Sequence, residues 1–435
     1  MRDVVLKLME KIDKNQDFEM FVRMFKNLPK MQFAVIKISG QTLENHLDVI
    51  AEDIAFLNKL EVFPVVIHGA GSVLDKKLPQ SKKVNGIRVT SAEDMTIIKE
   101  VFEEINIQLV DKIKEKGGQA ISVGDVFECM QMSKYGYVGD IKKVNLTKIK
   151  EAVDAGRTPV ISPLGQNKDI YYNINADTTA KELAKAVNPK KFILLTETGG
   201  ILDEEGKIVP FLNLSPGCDY DQITGGMLLK IEEIQDFLKN AKECSVVITS
   251  ARNLLKEIFT IKGSGTFIKY HEICYVEDLN RLDKGKAKSA IESAFSKTMV
   301  DGYFENGIKA AFFEKNYEGI AIMKEVNGIP YLDKFAVAKP YQGTGLGKSL
   351  WMEITKRYPG FLLRAALDNP FNPFYTKHCD GMMKKNGWII YWKNLSFQDA
   401  MSRVNTISEI KKTLITGDKI DGYKKREFTV STEHI

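Results

Sequence analysis

The chain has 435 residues, which is too long for one ordinary hydrophobic core, so two or three domains are expected. Apolar residues at 44% and charged residues at 27% are typical of a globular protein. The 62 basic and 57 acidic residues are interspersed, and a formal charge of +5 gives no reason to expect a nucleic-acid partner. No apolar run approaches the ~18 residues of a membrane span. Five scattered cysteines without a C-x-x-C pair argue against a disulfide framework or zinc site. We therefore predict a cytoplasmic protein with neither a membrane nor a nucleic-acid partner.

Strands alternate with helices over the first 250 residues. We predict strands at 33–38, 63–67, 120–123, 158–161, 192–196 and 246–249, with helices at 44–59 and 91–116 among them. This alternation predicts an α/β domain with a doubly wound, mainly parallel sheet. Ligands bind such sheets beyond the carboxyl ends of the strands. Residues 1–28 have helical apolar spacing and predict a helix that either covers this domain or joins subunits.

The pattern changes near residue 275. A helix is predicted at 284–295, followed by antiparallel strands at 310–313, 319–323 and 329–337, with Asn327-Gly328 as a hairpin turn. These elements predict a second, smaller α+β domain. We expect domains at 1–275 and 276–395, then a C-terminal helix and tail over 396–435.

Two lysines and two glycine turns of the first domain indicate phosphate chemistry. Lys37 lies near the end of an apolar strand, where a buried ammonium is costly unless an anion meets it; an edge-strand lysine is the alternative. The run HGAG at 68–71 exposes backbone N–H groups at the next strand end. A further glycine turn at 225–226 opens a helix bearing Lys230. Such groups can balance the charge of a transferring phosphoryl group.

Asp177 closes the segment NINAD at 173–177. Its carboxylate could orient both lysines or hold a metal ion. Alone, an aspartate at this point is more often a helix N-cap.

Together these segments resemble the amino-acid kinase family, and within it the N-acetylglutamate kinases; NGIRVT at 85–90 is similar to their substrate loop. The resemblance implies ATP and Mg²⁺ as co-substrates, with no metal site built by the protein itself. Two departures stand out: Ser39-Gly40 replaces a pair of glycines, and LTETGG at 195–200 alters the usual Asp-x-x-Gly of the nucleotide-side loop. By resemblance, the catalytic residues are Lys37, Asp177 and Lys230, and the substrate-binding residues are Gly69, Ala70, Gly71, Arg88 and Asn173.

A second glycine loop, QGTGLG at 342–347, joins a predicted strand to a predicted helix. The first N–H groups of that helix and its dipole form an anion site, and glycines let the backbone approach a ligand. The alternative is a turn that only packs a helix on a sheet. The loop resembles the pyrophosphate loop of the GNAT acyltransferases. That resemblance implies bound acetyl-CoA, with contacts from Phe335, Ala336, Val337, Gln342, Gly343, Thr344, Gly345, Leu346, Gly347 and Lys348.

Two later segments are similar to the acetyltransferase domain of N-acetylglutamate synthases: NPFNPFY at 369–375 and WIIYW at 388–392. Acetyl transfer needs a neutral amine, a hold on the substrate carboxylates and an acid for the thiolate. Ala366 stands where relatives often have a second arginine, so the acyl donor or acceptor could differ. The candidates for the carboxylate grip are Lys334, Arg364 and Asn369; the candidate acid is Tyr375, with Asn372 as a helper.

These residues have plainer interpretations as well. Asn369 and Asn372 each precede a proline and could only shape turns, and Tyr375 could be a core residue.

The order of the two domains resembles the bifunctional N-acetylglutamate synthase/kinase family of arginine biosynthesis. The resemblance implies acetylation of L-glutamate and phosphorylation of N-acetyl-L-glutamate, a homo-oligomer that is a tetramer, and L-arginine as an effector. Two alternatives stay open: a synthase with a silent, arginine-sensing kinase-like domain, or a kinase with a non-catalytic GNAT domain.

Overall fold

A computed structural model describes residues 29–84, 86–215, 226–241, 243–259 and 263–415, with backbone only for 226–230. The predictions for residues 1–28, Asn85, Gly225, the Lys230 side chain and the tail beyond 415 lie outside the described residues. The chain divides into two compact units, Met1–His271 and Glu272–Ile435. Within the described ranges, no helix is long and apolar enough to cross a membrane.

The first unit contains strands and helices in alternation, as predicted. Its strands, in chain order, are β1 Ala34–Ile38, β2 Val65–His68, β3 Lys83–Val84, β4 Ile87–Arg88, β5 Ala120–Ser122, β6 Phe127–Gln131, β7 Gly139–Val144, β8 Thr158–Ile161, β9 Leu164–Asn167, β10 Ile170–Asn173, β11 Lys191–Leu195, β12 Phe211–Asn213, β13 Ser245–Thr249 and β14 Thr266–Lys269. Its helices are α1 Gly40–Lys59, α2 Gly71–Lys77, α3 Ala92–Glu115, α4 Thr147–Asp154, α5 Ala176–Val187, α6 Gly226–Asn240 and α7 Leu254–Phe259.

An eight-stranded sheet runs through this unit in the order β12-β14-β13-β11-β1-β2-β8-β5. All of its pairings are parallel except that of β13 with β14. Strand β1 is central and fully buried: Val35 joins the core on one face, and Ile36 and Ile38 join the core on the other. A strand covered on both faces reads as a continuous apolar run, which is why β1 was recognisable in the sequence. The predicted doubly wound, mainly parallel sheet is confirmed.

A second sheet of the first unit has the order β10-β9-β6-β7, and a small hairpin pairs β3 with β4. Neither was predicted. Strands β6 and β7 have mostly exposed or half-buried residues and one register shift. They lack the clean apolar alternation that identifies a half-buried strand.

The second unit has its own strands and helices. The strands are β15 Ile273–Val276, β16 Thr298–Met299, β17 Ile308–Glu314, β18 Gly319–Val326, β19 Ile329–Val337, β20 Phe361–Ala366, β21 Gly381–Lys385, β22 Trp388–Lys393 and β23 Leu414–Ile415, and the helices are α8 Lys284–Phe295, α9 Leu346–Arg357, α10 Asn372–His378 and α11 Phe397–Glu409.

Seven of these strands form one sheet in the order β15-β17-β18-β19-β20-β22-β21, and β16 pairs with β23. Helix α8 and strand β19 have the predicted bounds. Asn327 and Gly328 have φ angles of 49° and 82°, as a two-residue hairpin turn requires, so that turn is confirmed.

Helices cover both faces of this sheet. Helix α9 packs on one face through Leu350, Trp351 and Ile354. Helix α11, the predicted C-terminal helix, packs within the same unit through Ala400, Val404 and Ile407 against strands β20 and β22.

Candidate functional site

Two glycine turns of the first unit meet at the carboxyl ends of β1 and β2. A Cβ on Gly40 would lie 2.8 Å from the backbone nitrogen of Gly71, so only glycine fits at position 40. Ser39 is the N-cap of α1, and its hydroxyl accepts a hydrogen bond from the backbone N–H of Thr42 at 3.2 Å. The serine that replaces the first glycine of the family pattern therefore stands at a position where serine is favourable.

Lys37 lies at the same sheet edge, with a side chain only 7% exposed. Its Nζ lies 2.6 Å from Oδ1 of Asp177, at the start of α5. The N-cap of α5 is Asn175, whose side chain accepts hydrogen bonds from the N–H groups of Asp177 and Thr178. Because Asn175 performs the capping, the Asp177 carboxylate is left to pair with Lys37. The alternative of an N-cap aspartate is wrong.

A pocket opens beside Asp177, between α5 and α6, the helix that carries Lys230. Apolar side chains form most of its wall, and three charged side chains line the rest. The lining residues are Asp177, Lys181, Phe192, Leu194, Glu233, Ile234 and Phe237.

The histidine of the HGAG turn is fully buried and neutral. Its Nε2 lies 3.2 Å from Nδ2 of Asn106 and 3.1 Å from Oγ of Ser162. Burial lowers the pKa of His68 from 6.5 to about 4, because removing the imidazolium from water is unfavourable. His68 is thus a fixed hydrogen-bonding support beneath the turn.

The predicted substrate loop carries an internal carboxylate partner. Arg88, 7% exposed, forms an ion pair with Asp75 of α2, which also binds Lys83 at 2.8 Å. Although burial opposes the shift, hydrogen bonds from Lys83 and Arg88 lower the pKa of Asp75. Asn173, at the end of β10, donates from Nδ2 to Oγ1 of Thr90 at 3.2 Å. Arg88 and Asn173 are therefore both buried and held by neighbours.

In the second unit, strands β19 and β20 separate. They pair only through Tyr331 with Leu362 and Leu332 with Leu363, although β19 continues to Val337 and β20 to Ala366. On its other edge, β19 stays paired with β18 as far as Val337. Within the part of the chain that the structure describes, the edge of residues 335–337 that faces β20 therefore has no ladder partner. Such a wedge can accept an extended ligand through backbone hydrogen bonds.

The glycine loop lies at the mouth of this wedge. Gln342 donates from Nε2 to the carbonyl of Val337 at 3.0 Å, which ties the loop to the strand end. Gly343 and Gly345 have φ angles of 80° and 89°, and Gly345 is the N-cap of α9. Leu346 is buried against Gly319, so only its backbone can serve a ligand.

Lys334 belongs to a buried polar group. The register shift between Ile322 and Met323 places Asp333 as the extra residue of β19. Nζ of Lys334 lies 2.8 Å from Oδ2 of Asp333, and the Tyr303 hydroxyl donates to the same carboxylate. Burial acts to raise the pKa of Asp333, but the Lys334 charge, hydrogen bonds from Lys334 and Tyr303 and the Lys324 charge together outweigh burial and lower that pKa.

Arg364 contacts the C-terminal part of the unit. Its Nη1 donates to the carbonyl of Ile407 at 2.8 Å, and its Nη2 to that of Lys411 at 3.4 Å. The guanidinium carbon lies 4.2 Å from the Trp388 ring centroid. Arg364 thus binds the end of α11, where a cation is favoured by the helix dipole.

The two asparagines act on the turn, as their plainer interpretation predicts. Oδ1 of Asn369 accepts from the N–H of Phe371 at 2.9 Å, and Nδ2 of Asn372 donates to the carbonyls of Ala366 and Leu367. Oδ1 of Asn372 is buried and has no hydrogen-bond partner among the described residues.

Tyr375 is 5% exposed and packs in an aromatic cluster. Its ring lies 6.2 Å from Phe335 of β19 and 5.5 Å from Tyr391 of β22, measured between centroids. Burial raises the pKa of Tyr375, so the hydroxyl keeps its proton over the neutral range.

Three partners of the candidate residues were missed in the sequence: Asp75, Asp333 and Tyr303. Asp333 had a visible signal, because an acidic residue beside Lys334 in an apolar strand is unusual. Asp75 and Tyr303 become partners only through tertiary packing, which no local pattern records.

Comparison with known proteins decides the family. Residues 32–250 match the model of the amino acid kinase family, and residues 274–413 match that of the N-acetyltransferase of N-acetylglutamate synthase. The chain belongs to the amino acid kinase family. This family member is 37% identical to the acetylglutamate kinase of Xylella fastidiosa over 418 residues, which cover 92% of this chain and 99% of that protein.

Other relatives share both domains of this amino acid kinase family member. The mitochondrial N-acetylglutamate synthase of Homo sapiens is 28% identical over 394 residues, covering 86% of this chain and 71% of that protein. The solved N-acetylglutamate synthase of Neisseria gonorrhoeae, complexed with coenzyme A and N-acetyl-glutamate, superposes with a TM-score of 0.61 at 18% identity. That superposition covers 91% of this chain and 96% of that one, and it shows the shared fold.

The comparisons confirm the prediction of an enzyme with a kinase domain followed by a GNAT-type acetyltransferase domain. Fusion of these two domains places the chain among enzymes of arginine biosynthesis. The domain types imply ATP and acetyl-CoA as co-substrates.

Proposed function

We propose that both domains are catalytic. The C-terminal domain transfers the acetyl group of acetyl-CoA to the α-amine of L-glutamate, and the N-terminal domain phosphorylates the γ-carboxylate of N-acetyl-L-glutamate with ATP. The observation that carries the proposal is the Lys37–Asp177 ion pair, 2.6 Å long, beside two abutting glycine turns. A kinase-like domain that served only regulation would have no need of a buried lysine at this edge.

In the kinase domain, a γ-carboxylate oxygen attacks the γ-phosphorus of ATP. The bond to the β,γ-bridging oxygen breaks, and the products are an acyl phosphate and ADP. Lys37 and Lys230 neutralise the transferring charge, Asp177 orients them, and the backbone of Gly69, Ala70 and Gly71 donates to the phosphoryl oxygens. Arg88 and Asn173 hold the acetylated substrate.

Mg²⁺ accompanies the nucleotide in this proposal. Among the described residues, no group of three or more His, Cys, Asp or Glu side chains could hold a metal ion. A site with few protein carboxylates fits a magnesium ion that is held mainly by the nucleotide phosphates and water, since Mg²⁺ keeps several waters and takes few protein carboxylates. Asp177 is the carboxylate placed to meet it, and the ion would supply charge neutralisation.

In the acetyltransferase domain, acetyl-CoA lies along residues 335–337 in the wedge, with its diphosphate at the backbone of residues 342–348. The neutral amine of glutamate attacks the thioester carbonyl, and the C–S bond breaks. The Tyr375 hydroxyl protonates the departing thiolate. It regains a proton from the attacking nitrogen, which is positively charged after the attack and becomes the neutral amide nitrogen when it loses that proton. Lys334, Arg364 and Asn369 hold the glutamate carboxylates, and Asn372 fixes the turn before Tyr375.

The cations of the second unit support this assignment. Burial lowers the pKa of Lys334, the Asp333 carboxylate acts to raise it, and repulsion from the positive charges of Lys324 and Arg364 adds to the lowering. A dicarboxylate ligand would relieve that repulsion. Arg364 must then exchange a backbone carbonyl for the ligand.

Regulation and assembly complete the proposal. L-arginine, as the end product of the pathway, acts as an effector at the kinase domain, and the active form is a homo-tetramer in the cytoplasm. Light scattering of the purified chain, with and without L-arginine, tests both the mass and its response to the effector.

Two separate assays of the purified protein test the proposed activities. One measures ATP-dependent formation of the acyl phosphate, trapped with hydroxylamine, and the other measures glutamate-dependent thiol release from acetyl-CoA. We expect both activities. Thiol release alone would leave the kinase domain as a silent module, and phosphorylation alone would leave the GNAT domain as a binding module.

A further inference from the structure

The segment LTETGG at 195–200 departs from the usual Asp-x-x-Gly sequence of the family, and its glutamate, Glu197, has specific partners. Oε2 of Glu197 accepts a hydrogen bond from Nδ2 of Asn45 at 3.0 Å, and Oε1 lies 3.8 Å from Nε2 of His46. A hydrogen bond from Asn45 lowers the pKa of Glu197, burial opposes it, and Thr42 and His46 add to the lowering. All three partners belong to the first turns of α1, three and four residues apart, so one carboxylate binds one face of that helix.

Helix α1 is broken at the same place. His46 has φ −134° and ψ 26°, which are not helical values, in the middle of an otherwise regular helix. Kinks of this kind separate a helix into two parts with their own orientations. The part before the kink, residues 40–45, is the part that Glu197 binds through Asn45.

This first part of α1 also forms the glycine turns. Its backbone at Gly40 abuts Gly71, and Ser39 donates from its N–H to the carbonyl of Leu195 at 3.2 Å. The loop after Leu195 and the start of α1 are thus joined twice, once through the backbone and once through Glu197. Within the loop, Thr196 donates from its N–H to the carbonyl of Thr249 on β13.

We propose that Glu197 is a positioning residue for the kinase reaction: it fastens the 196–200 loop to the first turn of α1, and so fixes the nucleotide side of the site relative to the phosphate-binding turns. The proposal rests on the proposed kinase function. Glu197 does not touch the transferred group, and it acts through Asn45 and the backbone of residues 39–40.

The position of the carboxylate explains why its partners matter. A free carboxylate at this sheet edge would repel the phosphates of a nucleotide, because like charges at short range raise the free energy of binding. Hydrogen-bonded to Asn45, with Nε2 of His46 3.8 Å away, the carboxylate points to the helix face. Since the side chain is 32% exposed, the effect on affinity is modest rather than decisive.

Nucleotide binding and kinetics of the full-length chain test the inference. We expect Glu197→Ala to weaken ATP affinity and to raise its KM about tenfold, the loss of one charge-assisted hydrogen bond, with the KM of N-acetyl-L-glutamate changed less than about twofold. Asn45→Ala is expected to reproduce this, and the double variant to add nothing further. Glu197→Gln, which keeps the acceptor for Asn45, is expected to recover most of the affinity.

A matched control is Glu205→Ala, which removes an equal charge from an exposed side chain whose described hydrogen bond is with Lys207. Acetyl transfer by the second domain of each variant reports whether the chain is folded. Equal ATP affinity in Glu197→Ala and Glu205→Ala, or additive effects of Asn45→Ala and Glu197→Ala, would overturn the inference. Unmodified protein that binds ATP without phosphorylating anything would overturn the kinase proposal alone, since the affinity ratios still judge Glu197; a failure to bind ATP would overturn both.

Discussion

The two candidate sites differ in how their binding groups are built. In the first unit, a buried lysine and its carboxylate partner lie beside helix starts whose backbone is brought together by Gly40 and Gly71. In the second unit, the opening comes from two strands that cease to pair after Leu332 and Leu363. The first site therefore depends on placed charge, whereas the acetyl-CoA side of the second depends on backbone conformation and on the hydroxyl of Tyr375.

The difference follows from the ligands' chemistry. A transferring phosphoryl group carries charge that must be neutralised as it moves, so the charges must be in place before it arrives. An acetyl thioester is neutral at the reacting carbon, and its pantetheine arm is best held by an extended edge of backbone. The cations of the second unit, proposed to hold the glutamate carboxylates, also have partners within the protein: Lys334 pairs with Asp333, and Arg364 donates to the end of α11.

The largest expected effect is a loss of phosphorylation when a buried charge is removed from the first unit. Lys37→Ala is expected to lower the rate of ATP-dependent phosphorylation about a thousandfold, because it removes a charge aimed at the transferring group and breaks the ion pair with Asp177. Acetyl transfer by the same protein is expected to stay unchanged, and an unchanged thermal unfolding transition is the control for folding of the first unit. Phosphorylation at an unchanged rate after the substitution would contradict the claim that the first site depends on placed charge.

The next effect concerns the hydroxyl in the second unit. Tyr375→Phe is expected to lower kcat for thiol release from acetyl-CoA about a hundredfold, as expected for loss of a general acid. KM values should change little, because the ring still fills the aromatic cluster. Tyr391→Phe, a neighbouring buried tyrosine, is the matched control, and a comparable loss there would show that packing rather than proton donation is responsible.

Backbone conformation in the second unit gives a third, smaller effect. Gly345 has φ 89°, so Gly345→Ala forces a left-handed conformation on an L-residue and is expected to raise the KM of acetyl-CoA about tenfold. Gly328→Ala imposes a similar strain at φ 82° in the hairpin and should lower stability without altering that KM. An equal rise in both variants would mean that the loop conformation is not specific to the ligand.

The same contrast governs what sequence could foresee. Strand β1 and Lys37, helix α8 and the Asn327-Gly328 turn each depend on neighbours in the chain, and local periodicity and turn chemistry predicted them. The pairing of Arg88 with Asp75 and of Arg364 with Ile407 depends on segments far apart in sequence, and the extra residue Asp333 depends on register with β18. Apart from the acidic residue beside Lys334 in an apolar strand, none of these partners leaves a local signal, so the sequence could suggest residue types for the site but not most of their partners.

The four-stranded sheet β10-β9-β6-β7 of the first unit was also missed because its strands lack a local signal. Phe127 and Cys129 point inward, but the residues around them are exposed, so β6 has too few apolar positions to stand out. Its place is set by pairing with β7 and β9, which are themselves short. Pairing of weak strands is a tertiary property.

The smallest effect tests the neutral support beneath the first site. Folding lowers the pKa of His68 from 6.5 to about 4 and that of His271 to about 3, chiefly through burial. The unfolded chain therefore binds more protons than the folded chain between these limits, so stability is fully present above pH 6.5 and falls as the pH drops toward 4. Urea unfolding of the full chain, followed by hydrogen exchange in peptides from β1, should show this decline. His68→Gln, which cannot gain a proton, should lower stability at pH 7 but flatten its dependence on pH; an unchanged slope would mean that the buried imidazole is not the group that titrates.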